Sequence, residues 1–223
     1  MDENLEQVRD AYRVGRPAEL EALLPDEFKK SKAYQDFIGD TQRTTASDAP
    51  ENRAYLNPEP GMHFLDAGCC GGYAAYQMWE WPSTYCGVDF CPSIIDAMRS
   101  VAAQNHLPHG GFEVAEIVDL PYKEAFFDIG QLIGVLEYCP LDYCRRALQE
   151  MSRVLKSAAR LILDLPNTQH PQCETMFKLE EYMDRPNVPK GRDEFEEILG
   201  SIFNIHHVDD TQVMIKYFVE NRR

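Results

Sequence analysis

The stretch Phe64-Leu65-Asp66-Ala67-Gly68-Cys69-Cys70-Gly71-Gly72-Tyr73 restricts the possible folds of this chain more than any other. Met62 to Leu65, apolar except for His63, reads as a short, largely buried strand. It runs into an acid, Asp66, and then a small-residue turn, after which Ala74 to Trp81 resumes with helix-compatible residues. A strand, a tight turn and a helix start present backbone N–H groups and a helix N-terminus to a ligand. Glycine is needed in such a turn because a Cβ would block close approach or the required φ. A dinucleotide fold wants glycine at the first, third and sixth positions of the turn. Counting from Gly68, those last two positions hold Cys70 and Tyr73, so that pattern fails. The acid before Gly68 suits a ligand with a positively charged amino group better than a pyrophosphate.

The rest of the chain alternates strands with helices. Thr84 to Phe90 reads as a second strand with an acid, Asp89, near its end. Pro92-Ser93 opens a helix with Ser93 as its cap, followed by Ile94, Met98 and Val101 at helical spacing. Gly111 to Ile117, Phe126 to Ile133 and Arg160 to Leu165 read as three more strands. Between the last two, Leu141, Cys144, Leu148, Met151 and Leu155 mark an amphipathic helix. Asp193 to Leu199 reads as a helix, and Phe203 to Val208 and Val213 to Val219 as two closing strands joined by a short turn, which must pair antiparallel. The order predicts an α/β fold: a Rossmann-like, doubly wound, seven-stranded, mostly parallel sheet with an antiparallel last strand and right-handed crossovers. Ahead of it, Leu5, Val8 and Tyr12 share one helical face, Leu20, Leu23 and Leu24 mark a second short helix, and Thr41 to Ala54 reads as a polar loop.

The glycine turn resembles the first motif of class I S-adenosylmethionine-dependent methyltransferases, acid-x-Gly-x-Gly-x-Gly. Asp66, Gly68 and Gly72 match it, and Cys70 stands where the middle glycine belongs. Asp119-Leu120-Pro121-Tyr122, Phe127-Asp128-Ile129 and Ile133 to Glu137 resemble the family's fourth-strand region, and Ala147 to Lys156 resembles its following helix. There the family continues Pro-Gly-Gly, whereas this chain has Ser157-Ala158-Ala159, which cannot freely use positive φ. The resemblance spans residues 55–165 and implies a cofactor site of Asp66, Gly68, Cys70, Gly72, Asp89, Phe90, Glu116, Ile117 and Leu132. Asp89 would take both ribose hydroxyls, because a carboxylate accepts two hydrogen bonds. Glu116, or its neighbour Asp119, would accept the adenine amino group. Acceptor-site candidates are Tyr34, Phe37, Glu137, Tyr138, Asn167 and His170, with no single base singled out. Residues 1–48 are expected to form a lid over a methyltransferase domain at 49–223, as leading segments commonly do in this fold. The implied activity is methyl transfer from S-adenosyl-L-methionine to a small molecule. A protein or RNA acceptor, or non-catalytic binding of the cofactor, are the alternatives.

Composition narrows the partners. Among 223 residues, 22 Lys and Arg face 37 Asp and Glu, a formal charge of −15, which repels phosphate backbones and disfavours nucleic acid. No apolar run approaches a membrane span. Seven cysteines with no secretory leader are expected to be reduced thiols in the cytoplasm. Four residues separate Cys86 from Cys91 and Cys139 from Cys144, which is not zinc-ligand spacing, so no metal is expected. The chain is expected to act as a monomer or homodimer.

Overall fold

The computed structural model describes residues 3–13, 22–45 and 50–223. Its seven strands are β1 (His63–Ala67), β2 (Thr84–Asp89), β3 (Gly111–Val114), β4 (Phe127–Leu132), β5 (Leu155–Pro166), β6 (Phe203–Asp209) and β7 (Met214–Asn221). They form one sheet in the order β3-β2-β1-β4-β5-β7-β6. The first five pair parallel. β7 inserts between β5 and β6 and runs antiparallel to both. The strand order reverses between β1 and β4, which places a crevice beyond the C-terminal end of β1.

Alternating residues of the central strands feed two cores, as the period of two requires. Leu65 and Ala67 of β1 face one core and Phe64 the other. The helices described are α1 (Glu3–Arg13), α2 (Asp26–Lys30), α3 (Lys32–Thr45), α4 (Pro50–Leu56), α5 (Gly72–Ala75), α6 (Pro92–Gln104), α7 (Leu141–Val154), α8 (Cys173–Tyr182) and α9 (Arg192–Ile202). The amphipathic face of α7 buries Cys144, Ala147, Leu148 and Met151 in the first core. α6 buries Ile95, Met98 and Ala102 in the second.

Local differences from the sequence reading have physical causes. Residues 41–54 are not one loop: α3 continues to Thr45, and α4 starts at Pro50, with 46–49 outside the described residues. Proline suits a first helical turn, and burial of Leu56 against Phe64 and Ile162 fixes α4 to the sheet. Leu20 also lies outside the described residues, as does the expected boundary between lid and domain. The helix expected over Ala74–Trp81 is only the single turn of α5 and a 3₁₀ turn at Met78–Glu80, because Gln77 adopts φ +49° and breaks it. Ser93 does not cap α6; Cys91 occupies that position, and its N–H donates to Asp89 Oδ1 at 2.9 Å.

β5 starts five residues earlier than expected, at Leu155, and its pairing with β4 shifts register between Phe127 and Ile129. The shift is accommodated at Ala158, which takes φ +57° where the family has glycine. An L-residue in that region costs about 1–2 kcal/mol, and glycine returns roughly 0.4–1 kcal/mol of this as unfolded-chain entropy. Ala158 is exposed, so no packing is lost with its methyl. Ala158→Gly is therefore expected to raise stability by up to about 1 kcal/mol, a Tm gain of about 2–4 °C by calorimetry. A lower Tm would show that the bulge is not strained.

Candidate active site

Gly68 and Cys69 direct their N–H groups to the Val88 carbonyl at 2.8 and 2.9 Å, tying the turn after β1 to the end of β2. Gly68 sits at φ +74°, and a Cβ built on it would lie 2.2 Å from Val135 Cγ2. Cys70, exposed and at φ +41°, donates its N–H to Asp89 Oδ2 at 3.0 Å. Asp89 thus receives one backbone N–H on each oxygen and keeps lone pairs for further donors. Burial raises its pKa, and the N–H donors of Cys91 and Cys70 oppose the rise.

Two cavities open at this end of the sheet. The first follows the strand ends of β1, β2 and β3 and is lined by Gly68, Cys70, Asp89, Phe90, Glu116 and Ile117. On its other side stand Gly134, Val135, Tyr138 and Tyr143, with Tyr143 OH donating to Glu116 Oε2 at 3.2 Å. Leu5, Val8 and Tyr12 of α1 close it, leaving about 60 Å³. α1 is held there by Asn4 Nδ2 donating to the Tyr138 carbonyl at 2.8 Å and Gln7 Nε2 donating to Asp184 at 2.6 Å. The Arg185 guanidinium also stacks over the Tyr12 ring at 4.6 Å.

The second cavity, about 580 Å³, lies beyond β4, β5 and β7 and shares Gly134 with the first. Phe37, Trp81, Met176 and Leu179 supply apolar wall, and Gln131, Glu137, Asp164 and Glu180 supply polar groups. Glu137 sits on a 3₁₀ turn, Leu136–Tyr138, that follows β4. It is 8% exposed, and its Oε2 has no hydrogen-bond partner among the described residues. Burial first, and then the charge of Asp164, pushes its pKa up to about 8. Asp164 accepts the Gly134 N–H at 2.8 Å and is itself pushed up to about 6 by burial.

Seven sequence candidates, counting Asp119 as the alternative to Glu116, line neither cavity. Asp66 is buried beneath the turn, where its oxygens accept from Tyr85 OH at 2.6 Å and Gln131 Nε2 at 2.9 Å. That burial pushes its pKa up to about 6. Gly72 opens α5 directly above it: a Cβ there would stand 3.3 Å from Asp66 Oδ2. Leu132 is fully buried in the first core, and the chain turns into the site only two residues later, at Gly134. Tyr34 packs against Phe28, with ring centroids 5.0 Å apart and planes tilted by 48°. Asn167 holds a turn through bonds to the Asp210 and Gln212 carbonyls, and His170 Nδ1 accepts the Gln172 N–H. Asp119 is exposed, outside the cavity that Glu116 lines.

The sequence reading missed Asp164, which ends the continuous apolar run of β5 and could have been weighed with the other strand-end acids. It also missed α8, which brings Met176, Leu179 and Glu180 to the second cavity. The spacing Cys173-Met176-Phe177-Glu180 carries that helix in the sequence.

A sheet in this order, with a glycine turn after its first strand and an acid ending its second, is the fold that the class I S-adenosylmethionine-dependent methyltransferases share. Residues 65–163 match the family described as a methyltransferase domain. Among curated proteins, the O-methyltransferase resE of Aspergillus sclerotiorum is 30% identical over 150 residues, 66% of this chain and 56% of that protein. The 2-phytyl-1,4-naphtoquinone methyltransferase of Trichormus variabilis is 30% identical over 143 residues, 60% of this chain and 59% of that protein. The chain thus spans little more than half the length of these two relatives. Among solved structures, geranyl diphosphate C-methyltransferase from Streptomyces coelicolor, in complex with Mg2+, geranyl diphosphate and S-adenosyl-L-homocysteine, superposes with a TM-score of 0.71 at 15% identity. That likeness covers 100% of this chain and 99% of the other.

Proposed function

We propose that this protein transfers a methyl group from S-adenosylmethionine to a hydroxyl oxygen of a small molecule. The observation that carries the reading is the meeting of two cavities at Gly134, one lined by the glycine turn and Asp89, the other presenting the unpartnered Glu137 Oε2. The residues of the first cavity fit the cofactor. Asp89 has lone pairs free for the ribose hydroxyls, Phe90 and Ile117 offer apolar faces to a ring, and Glu116 is an acceptor for an exocyclic amine. When bound, S-adenosylmethionine supplies a sulfonium-activated, electrophilic methyl group. Glu137 takes the hydroxyl proton as general base, and the apolar wall holds the acceptor in line. The O-methyltransferase relatives support oxygen as the acceptor atom.

The first cavity, at about 60 Å³, is several-fold below the roughly 300–1,000 Å³ of small-molecule sites. We therefore read α1 as a lid that withdraws to admit the cofactor and returns to exclude water. Phe37 of α3, on the wall of the second cavity, extends the lid to the acceptor side.

Thermal unfolding tests the cofactor. S-adenosylmethionine at ~100 times its Kd should add ~2.7 kcal/mol, a Tm rise of about 5–11 °C, and NADH should add nothing. In titration calorimetry, Asp89→Ala should weaken binding by roughly 1.5–3 kcal/mol. A rise with NADH and none with the methyl donor would reverse the assignment.

A further inference from the structure

We propose that the acceptor is a hydroxylated aromatic amine, its hydroxyl against Glu137 and its protonated amine at the acidic outer end of the second cavity, near Asp209. The proposal rests on reading that cavity as the acceptor site and names the chemistry it selects.

The charged side chains lining the cavity are five acids, Glu51, Glu137, Asp164, Glu180 and Asp209, and one base, Lys216. Lys216 Nζ is committed to Glu51 Oε1 at 2.7 Å. It also stands opposite Asp164 on β5 and Asp209 on β6, so one ammonium serves three carboxylates. Glu180 is matched separately, by Arg185 at 3.0 Å and by Tyr138 OH at 2.8 Å. Among the described lining residues the balance is acidic, and a carboxylate or phosphate entering the cavity meets repulsion that Lys216 alone of them opposes.

A second observation points to a ligand. Glu137 Oε2 and Asn52 Oδ1 are buried atoms on the cavity wall with no partner among the described residues. Glu137 is 8% exposed and Asn52 is 7% exposed. Asn52 Oδ1 is an acceptor, as is Glu137 Oε2 once the carboxyl is ionised, and an orphaned buried acceptor calls for a donor. A hydroxyl and an ammonium each bring donors; an ionised acid brings none.

The spacing sets the body of the molecule. Asp164, Lys216 and Asp209 lie in a row across β5, β7 and β6, so Asp209 stands two strand spacings, roughly 10 Å, from Asp164 beside Glu137. A phenol ring carrying a short aminoalkyl chain spans that distance. Trp81, Phe37 and the methionines Met78, Met176 and Met214 give such a ring an adaptable apolar bed.

The test is titration calorimetry on protein loaded with S-adenosylhomocysteine, with three probes that share one phenol ring: tyramine, 4-ethylphenol and 3-(4-hydroxyphenyl)propionate. Tyramine should bind about tenfold or more tighter than the propionate, and tighter than 4-ethylphenol, with the preference shrinking at about 0.5 M salt. Asp209→Asn should narrow the gap between tyramine and 4-ethylphenol and leave 4-ethylphenol itself unchanged. Equal or tighter binding of the propionate, tyramine no tighter than 4-ethylphenol, or binding of none of the three would overturn the proposal. Loading is measured first, so a protein that takes up no S-adenosylhomocysteine fails the reading of the first cavity, and this one with it, before any probe is added.

Discussion

Glu137→Gln is expected to lower kcat by about 10²–10⁴-fold, the usual contribution of a positioned general base, while leaving cofactor affinity unchanged. Glutamine keeps the volume and the hydrogen-bonding shape of the side chain but cannot take a proton. The backbone of the turn is fixed independently, since the Glu137 carbonyl accepts the Val188 N–H at 2.7 Å, so the substitution removes chemistry and not geometry. The pH dependence separates a base from a merely structural acid. A base acts deprotonated, so the wild-type rate should climb with pH through about 8, the value to which burial and Asp164 push Glu137, and then level off. The glutamine variant should lose that limb. Stability runs the opposite way. A carboxyl whose folded pKa lies above its unfolded value contributes fully below the unfolded value and loses that contribution as pH rises through the folded one. The cofactor-free protein should therefore melt lower at pH 9 than at pH 6, with roughly 2–3 kcal/mol lost over that window, and the variant should show a much flatter dependence. Full turnover by the variant with an unaltered pH profile would remove Glu137 from the mechanism.

Gly68→Ala should cost about 2–5 kcal/mol of stability and take cofactor binding with it. Two costs add at this one position. The backbone sits at φ +74°, worth about 1–2 kcal/mol against an L-residue. The new methyl would also lie 2.2 Å from Val135 Cγ2, and forcing extra volume into a packed contact costs about 1–3 kcal/mol. Val135 is β-branched and short, so it has little room to step aside. The pair Gly68→Ala with Val135→Ala separates the two costs, because the smaller neighbour removes the clash and leaves the backbone strain. Gly39→Ala is the control: that glycine lies inside α3 with nothing within 4 Å, and alanine should stabilise the helix by up to about 1 kcal/mol. Urea unfolding of the three variants beside the parent reads all of this. A Gly68→Ala protein as stable as the parent would show that the turn does not depend on close approach to Val135.

The sheet was legible in the chain because its signals are local. Strand residues alternate or run apolar with period two, the helix of Leu141–Val154 repeats at helical spacing, and the glycine turn declares itself in ten residues. Asp89, Phe90, Glu116 and Ile117 followed, because a residue at the end of a parallel strand beside the turn has only one place to go. Asp66 shows the limit of that logic. Its position in the motif was readable, but its burial under the turn depends on Tyr85 and Gln131, which reach it from the two neighbouring strands. The second cavity was less readable still. Glu137, Asp164, Met176 and Lys216 come from four separate elements, and no spacing along the chain records that they share one space. For α1 the apolar stripe was plain and the family resemblance implied a lid, but the particular contacts of Leu5, Val8 and Tyr12 with the first cavity were not readable. By itself the sequence determined the succession of strands and helices, the glycine turn and the acids at the strand ends, all set by residues near one another along the chain. Only the tertiary structure decided that Glu137 Oε2 is buried with no partner among the described residues, that acids dominate the described lining of the second cavity, and that α1 closes the first, because each depends on contacts between residues far apart in the chain.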